Sequence, residues 1–157
     1  MSKSTVVEAL HEAVKEVMAT LTGQTPVPEK TFVRDEPEAL GEVSAVVGLT
    51  GTNFTGSFIV SFKQECIFQV VASLFGQAPD KINEEVRDAA GEMANMICGA
   101  FRRRFEQQGI SLQASTPVVV TGKDHTLKIL CHSKRLVIPY SLNGSNLFVE
   151  FCLDKRG

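Results

Sequence analysis

The sequence predicts an α+β domain: a mostly antiparallel sheet with amphipathic helices packed on it and one long central helix. Its strand-like segments, rich in Val, Ile, Leu and Phe, are grouped together, and few βαβ alternations separate them. A second observation is the periodicity of residues 83–108, where apolar side chains recur every three to four positions. At 157 residues the chain can bury a sizeable core, so we expect residues 1–157 to form a single domain.

The first half of the chain is predicted to form two helices and a hairpin. Its elements, in order, are a helix over residues 5–22, a strand near 31–34, strands over 43–49 and 57–62, and a helix over 64–75. Thr5 and Glu8 are spaced as a capping box, and Gly23 and Gly76 are typical of helix ends. The glycine-containing turn between residues 49 and 57 indicates a hairpin.

The second half is predicted to form the long helix and then four strands. Asn83 is a natural N-cap, and the helix extends to Gln108, with Gly109 just beyond it. The predicted strands cover residues 115–120, 127–131, 136–140 and 146–153. The strand at 146–153 is apolar on both faces, which fits either a strand inside the sheet or one paired with another subunit.

Composition excludes several classes of function. The chain is 43% hydrophobic and 22% charged, as in an ordinary globular protein, and its net charge of −2 argues against nucleic acid as the main partner. The run Arg102–Arg104 has no aromatic platform beside it and lies near a helix C-terminus, which favours cations. No apolar run is long enough for a membrane span, and the N-terminus lacks the apolar core of a signal peptide. We therefore expect a cytoplasmic protein without a membrane partner.

Familiar catalytic and metal-binding patterns are missing from the sequence. There is no phosphate-binding glycine loop, no H-E-x-x-H helix and no nucleophile elbow, and the three histidines are far apart. The sequence contains no C-x-x-C pair, and each of its four cysteines is flanked by apolar residues. They are Cys66, Cys98, Cys131 and Cys152. We expect them to be core thiols in a reducing compartment, and we expect no metal site.

The long helix carries a polar face opposite its apolar face. At about 100° per residue, Asp88, Glu92, Asn95, Gly99 and Arg102 lie within about 80° of one another. A carboxylate and an amide are thus exposed one turn apart. Gly99 costs helix stability there but allows a partner to approach closely. An exposed Glu and Asn are often only solvated surface, so this face alone does not establish a function.

The sequence resembles the CheX branch of the chemotaxis phosphatases, a group that also contains CheC and FliY. The family pattern is a helix with Asp or Ser, then Glu, then Asn, followed by a proline, and here it matches Asp88, Glu92, Asn95 and Pro117. The resemblance also covers the first helix and the strand segments. These segments are residues 43–51, 56–62, 115–122 and 143–151. CheC-type members have a second Glu-x-x-Asn helix, which this sequence lacks.

The resemblance implies a phosphatase that hydrolyses the aspartyl phosphate of a CheY-like response regulator. Asn95 is then expected to orient the attacking water and Glu92 to pair with a lysine of the regulator, with Asp88 and Gly99 at the contact surface. The chain is expected to need no cofactor of its own, because the regulator brings Mg²⁺. The resemblance also implies a homodimer joined edge to edge through its sheets. A non-catalytic scaffold that binds response regulators, like the flagellar switch proteins that share the fold, is the alternative.

Overall fold

The computed structural model describes residues 2–129 and 131–155, and it confirms the predicted α+β class. The helices are α1 (Lys3–Thr22), α2 (Gln64–Phe75) and α3 (Glu84–Gln107). The strands are β1 (Val27–Pro28), β2 (Phe32–Arg34), β3 (Val43–Thr50), β4 (Phe54–Phe62), β5 (Gln113–Ala114), β6 (Val118–Thr121), β7 (Arg135–Leu142) and β8 (Ser145–Lys155). No helix among the described residues is long and apolar enough to cross a membrane.

The described strands form one antiparallel sheet in the order β1-β7-β8-β4-β3-β5. Two short strands complete it, since β2 also pairs with β7 and β6 also pairs with β3. The strand β8 lies between β7 and β4 and is paired along both edges. Of the two interpretations of residues 146–153, a strand inside the sheet is therefore confirmed, and pairing with another subunit is wrong.

One face of the sheet, here called the helix face, carries α1, α2 and α3. The helix α3 contacts both other helices and also β3, β4 and β6. An aromatic cluster joins it to the sheet: the ring centroids of Phe101 lie 5.5 Å from Phe58 and 5.0 Å from Phe151, and Phe105 lies 5.7 Å from Phe151. These contacts bury the apolar stripe of α3 and fix the direction in which its polar stripe points.

The helix ends follow the sequence closely, with one difference. Asn83 caps α3 as predicted, and its Oδ1 accepts a hydrogen bond of 3.0 Å from the Val86 backbone N–H. The helix α1 begins earlier than predicted, because Ser2 and not Thr5 is its N-cap. The Ser2 hydroxyl accepts from the Thr5 N–H at 3.2 Å, which places Thr5 inside the first turn.

Two predicted strand boundaries change for local chemical reasons. The strand predicted over 115–120 begins only at Val118, as β6, because Pro117 has no N–H for the ladder with β3, and the short β5 lies before the predicted range. Between β5 and β6, the Ser115 hydroxyl replaces a backbone acceptor and receives the Gly48 N–H at 2.8 Å. The strand β1 lies in the proline-marked passage, where the sequence predicts no strand, and it pairs with β7 over two residues.

Residues 122–129 and 131–134, here called the covering segment, lie across the other face of the sheet. The predicted strand over 127–131 is wrong for the described residues of that range, and Leu130 lies outside the described residues. The segment is held by single contacts instead of a ladder: the Leu127 N–H donates to the Pro37 carbonyl, and His125 Nε2 lies 2.8 Å from Ser44 Oγ on β3. Near its end, Cys131 is joined to Cys152 of β8.

The cysteine prediction is therefore half right. Cys66 and Cys98 are buried free thiols, as expected. Cys131 and Cys152 form a disulfide across 21 positions, which the sequence did not indicate because the chain brings them together only through the covering segment. The same region contains a buried carboxylate: Glu150 is 1% exposed and accepts from Arg135 Nε at 2.8 Å, with Arg34 Nη1 at 4.0 Å.

Candidate functional site

The polar face of α3 is the candidate site, and the structure brings its four predicted residues onto one open surface. Asp88, Glu92 and Asn95 are exposed, and Gly99 is half-buried. On a helix of 3.6 residues per turn, these positions span about 16 Å along the axis and lie within about 60° of one another. The face presents two carboxylates and one amide in a single row.

The three polar side chains of this row have no internal partner. Asp88, Glu92 and Asn95 make no side-chain hydrogen bond or ion pair with any residue in the described ranges 2–129 and 131–155. By contrast, the neighbouring Arg87 is paired with Glu84 at 2.9 Å. The core below fixes the helix backbone and so the spacing at which the three side chains project, while all of their hydrogen-bonding capacity remains free for a partner.

The two glycines of α3 have different surroundings. A Cβ at Gly91 would lie 3.4 Å from Val119 Cγ2 of β6, an ordinary van der Waals distance. A Cβ at Gly99 would have Arg103 Nη1, the end of a flexible side chain, as its nearest neighbour at 3.9 Å. Packing within the chain therefore requires glycine at neither position. At Gly99, on the polar row, the missing side chain leaves the helix backbone open to close approach.

The strand β6 borders the candidate surface through Val119, which packs against α3, whereas its neighbour Val118 points to the opposite face of the sheet. Pro117 leads into β6, and Val119 contacts the helix at Gly91. The adjacent Val118 is 63% exposed, although its side chain is large and apolar. The run of three valines gave no sign of which one faces solvent, because that depends on the register with β3, where Val118 pairs with Val46.

Arg102 does not belong to the open surface, in contrast to its predicted place on the exposed face. It is half-buried, and its Nη1 donates to the Leu112 carbonyl at 3.0 Å. The next two arginines bind Glu16 of α1, Arg103 at 2.8 Å and Arg104 at 3.1 Å. The arginine run thus ties α3 to α1 and to the segment after the helix.

Comparisons with known proteins identify the family of the chain. The model of the family described as chemotaxis phosphatase CheX matches residues 43–141, which include α3 and Pro117. The CheY-P phosphatase CheX of Thermotoga maritima is 30% identical over 138 residues, 87% of each chain. Among solved structures, the chemotaxis protein CheX of Desulfovibrio desulfuricans is 35% identical, with a TM-score of 0.85 over 95% of this chain and 99% of the other.

A more distant structure is the CheX–CheY–BeF₃–Mg²⁺ complex of Borrelia burgdorferi. It is 21% identical, with a TM-score of 0.77 over 97% of this chain and 98% of the other, and it shares the fold. The family match covers well over half of the chain and includes the helix that carries the open polar row. The chain therefore belongs to the chemotaxis phosphatase CheX family.

Proposed function

We propose that Glu92 and Asn95 of α3 perform the dephosphorylation of a CheY-like response regulator. The activity follows from family membership: the chain is a response-regulator phosphatase, a hydrolase that acts on an aspartyl phosphate, as is the named Thermotoga relative. The observation that carries the assignment of residues is the row of exposed polar side chains on a rigid helix, with no partner among the described residues. A site of this shape suits a substrate that is itself a folded protein.

The reaction needs little from the phosphatase except position. Water attacks phosphorus in line with the acyl phosphate bond, the bond from phosphorus to the aspartyl oxygen breaks, and a free carboxylate and inorganic phosphate result. Asn95 can accept a hydrogen bond from that water through its carbonyl oxygen and donate another through its amide. The water would then be held in line, as a glutamine holds the attacking water in some GTPases.

The remaining residues of the row are assigned to the contact with the regulator. Glu92, one turn before Asn95, would pair with a lysine of the regulator and set the register between the two proteins. Asp88 and Gly99 would lie at the two ends of the contact surface. Mg²⁺ would be carried by the regulator, so the phosphatase needs no metal of its own. The Borrelia complex, which contains CheY and Mg²⁺, supports this kind of partner.

A phosphate-release assay tests the proposal directly. Phosphorylated response regulators of the source organism are incubated with Mg²⁺, with and without the chain, and the rate of phosphate release is compared. We expect acceleration for at least one regulator, and loss of it in the double variant E92A/N95A. A non-catalytic scaffold would bind the phosphorylated regulator with equal affinity in both forms and would not shorten the lifetime of the aspartyl phosphate. That result would contradict the proposed roles of Glu92 and Asn95.

We also propose that the chain forms a homodimer through the β2 edge of its sheet. Val27, Phe32 and Val33 are large apolar side chains exposed at this edge, and Val33 is 50% exposed. The partner of β2 in the described sheet is β7, so its other edge is available for a two-fold strand pairing. This edge lies at the opposite side of the sheet from β6, so pairing here would leave α3 accessible to a regulator.

A further inference from the structure

The four cysteines occupy two different environments. Cys66 and Cys98 are fully buried among apolar side chains, and burial raises the pKa of their thiols to about 12 and about 11. Such thiols carry almost no thiolate near neutral pH and are inert. Cys131 is half-exposed, and Cys152, its partner in the disulfide, is 3% exposed on β8. The pair thus has one outer sulfur and one inner sulfur.

Cys131 lies at a solvent-accessible cleft of about 340 Å³ on the side of the covering segment. Three basic side chains line this cleft, namely Lys128, His132 and Arg135, together with the hydroxyl of Ser133. Asp35 is the one carboxylate among the described lining residues. Arg135 is paired with the buried Glu150 at 2.8 Å, so its charge is already balanced, and the property that distinguishes Cys131 is that solvent and small reagents can reach it through the cleft.

The two cysteines also lie close enough together to pass between the dithiol and the disulfide forms. The Cα atoms of Cys131 and Cys152 are 6.4 Å apart, within the range that a disulfide can span. Asp154, two residues beyond Cys152, accepts hydrogen bonds from the backbone N–H groups of His132 at 2.5 Å and Ser133 at 2.9 Å. These bonds hold Cys131 beside β8 independently of the disulfide, so the reduced pair would stay close enough to close again.

We propose that Cys131 is a redox modification site at which a low-molecular-weight disulfide, of the class of glutathione disulfide, interconverts the Cys131–Cys152 dithiol and disulfide. The Cys131 thiolate attacks one sulfur of glutathione disulfide; that S–S bond breaks, and one glutathione thiolate leaves. Cys152 then loses its proton to solvent and attacks Cys131 Sγ, which releases the second glutathione. Two protein thiols are oxidised by two electrons in total, and one glutathione disulfide is reduced to two molecules of glutathione.

Mass spectrometry of the full chain tests this exchange. Reduced protein is treated with glutathione disulfide, quenched with acid, alkylated and digested. We expect Cys131 and Cys152 to be lost from the alkylated fraction together, while Cys66 and Cys98 become alkylated only after unfolding. In C152S the reaction should stop at a mixed disulfide on Cys131. A C152S protein that gains no glutathione would overturn the proposal, as would a wild-type disulfide that excess reduced glutathione fails to open in the folded protein.

Discussion

A side-chain amide suits the role proposed for Asn95 because it holds a water molecule without changing its own charge. The phosphoryl group and Mg²⁺ of a regulator already carry the charges that the reaction involves. A carboxylate at position 95 would add a negative charge close to the phosphoryl group, whereas the amide adds only direction. Glu92 lies one turn away, where its charge can face a cation of the partner instead.

Replacement of Asn95 by alanine should therefore separate activity from stability. We expect N95A to slow stimulated dephosphorylation by at least about tenfold, or ~1.4 kcal/mol of transition-state stabilisation. The free energy of unfolding should change little, because Asn95 is exposed and alanine is the better helix former. The matched control is Q107A, an exposed amide at the end of the same helix. Full activity in N95A would remove the amide from the mechanism.

Replacement of Glu92 by glutamine should act mainly on binding. E92Q keeps the shape of the side chain and removes the charge that we assign to an ion pair with the regulator, so affinity for the phosphorylated regulator should fall about tenfold at low salt. Added salt should weaken the wild-type complex more than the variant. Titration calorimetry measures both effects, with E106Q, an exposed glutamate of α3 outside the row, as the control. Identical affinities for E92Q and wild type would exclude Glu92 from the interface.

At the scale of elements, the two glycines of α3 offer a comparison within one helix. We expect G99A to stabilise the protein by about 1 kcal/mol, because alanine favours the helix and a Cβ there meets only the end of Arg103. Binding of the regulator should nevertheless weaken, because the methyl group occupies the contact surface. Denaturant unfolding and calorimetry measure the two effects. G91A is the comparison at the other glycine, where the added Cβ would lie at an ordinary contact distance of 3.4 Å from Val119 Cγ2.

The proposed dimer depends on a single element, the strand β2. We expect the wild-type chain to elute at about 34 kDa, twice the 17.1 kDa of one chain, in light scattering coupled to size exclusion. V33K should shift it to the monomer, because a charged side chain at a paired edge is unfavourable. V118K, at the other side of the sheet, should remain dimeric. A 17 kDa wild-type species at micromolar concentration would contradict the dimer.

Elements whose signals are local were predicted well from the sequence. The helix α3 follows from its apolar periodicity and from Asn83, and its exposed row follows from the same periodicity. Features that depend on contacts distant in the chain were missed. The described residues of 127–131 form no strand, because Leu127 bonds to the Pro37 carbonyl and Cys131 to Cys152. Both contacts join positions that are far apart in the sequence. Arg102 left the exposed face because a carbonyl ten residues away accepts from it.

At the scale of the whole molecule, stability depends on a buried carboxylate held between two arginines. Glu150 is shared by Arg34 and Arg135, and Arg34 Nη1 is buried without a hydrogen-bond partner among the described residues. E150Q should lower the free energy of unfolding by about 3 kcal/mol, because two guanidinium groups would lose their enclosed counter-charge. Chemical denaturation measures the change, with E106Q as the exposed control. A loss below about 1 kcal/mol would show that water or Glu36 replaces Glu150.

The central position of β8 also affects the order in which the protein can fold. About eighty residues of chain separate β4 from β8, so this pairing closes a long loop and is expected to form slowly. During synthesis, α2 and α3 can form over β3 and β4 while that edge is still open. Until residues 145–155 leave the ribosome, β4, with its apolar run Phe58–Val60, has no neighbour on one side. The nascent chain is therefore most vulnerable to aggregation, and most in need of a chaperone, just before its sheet closes.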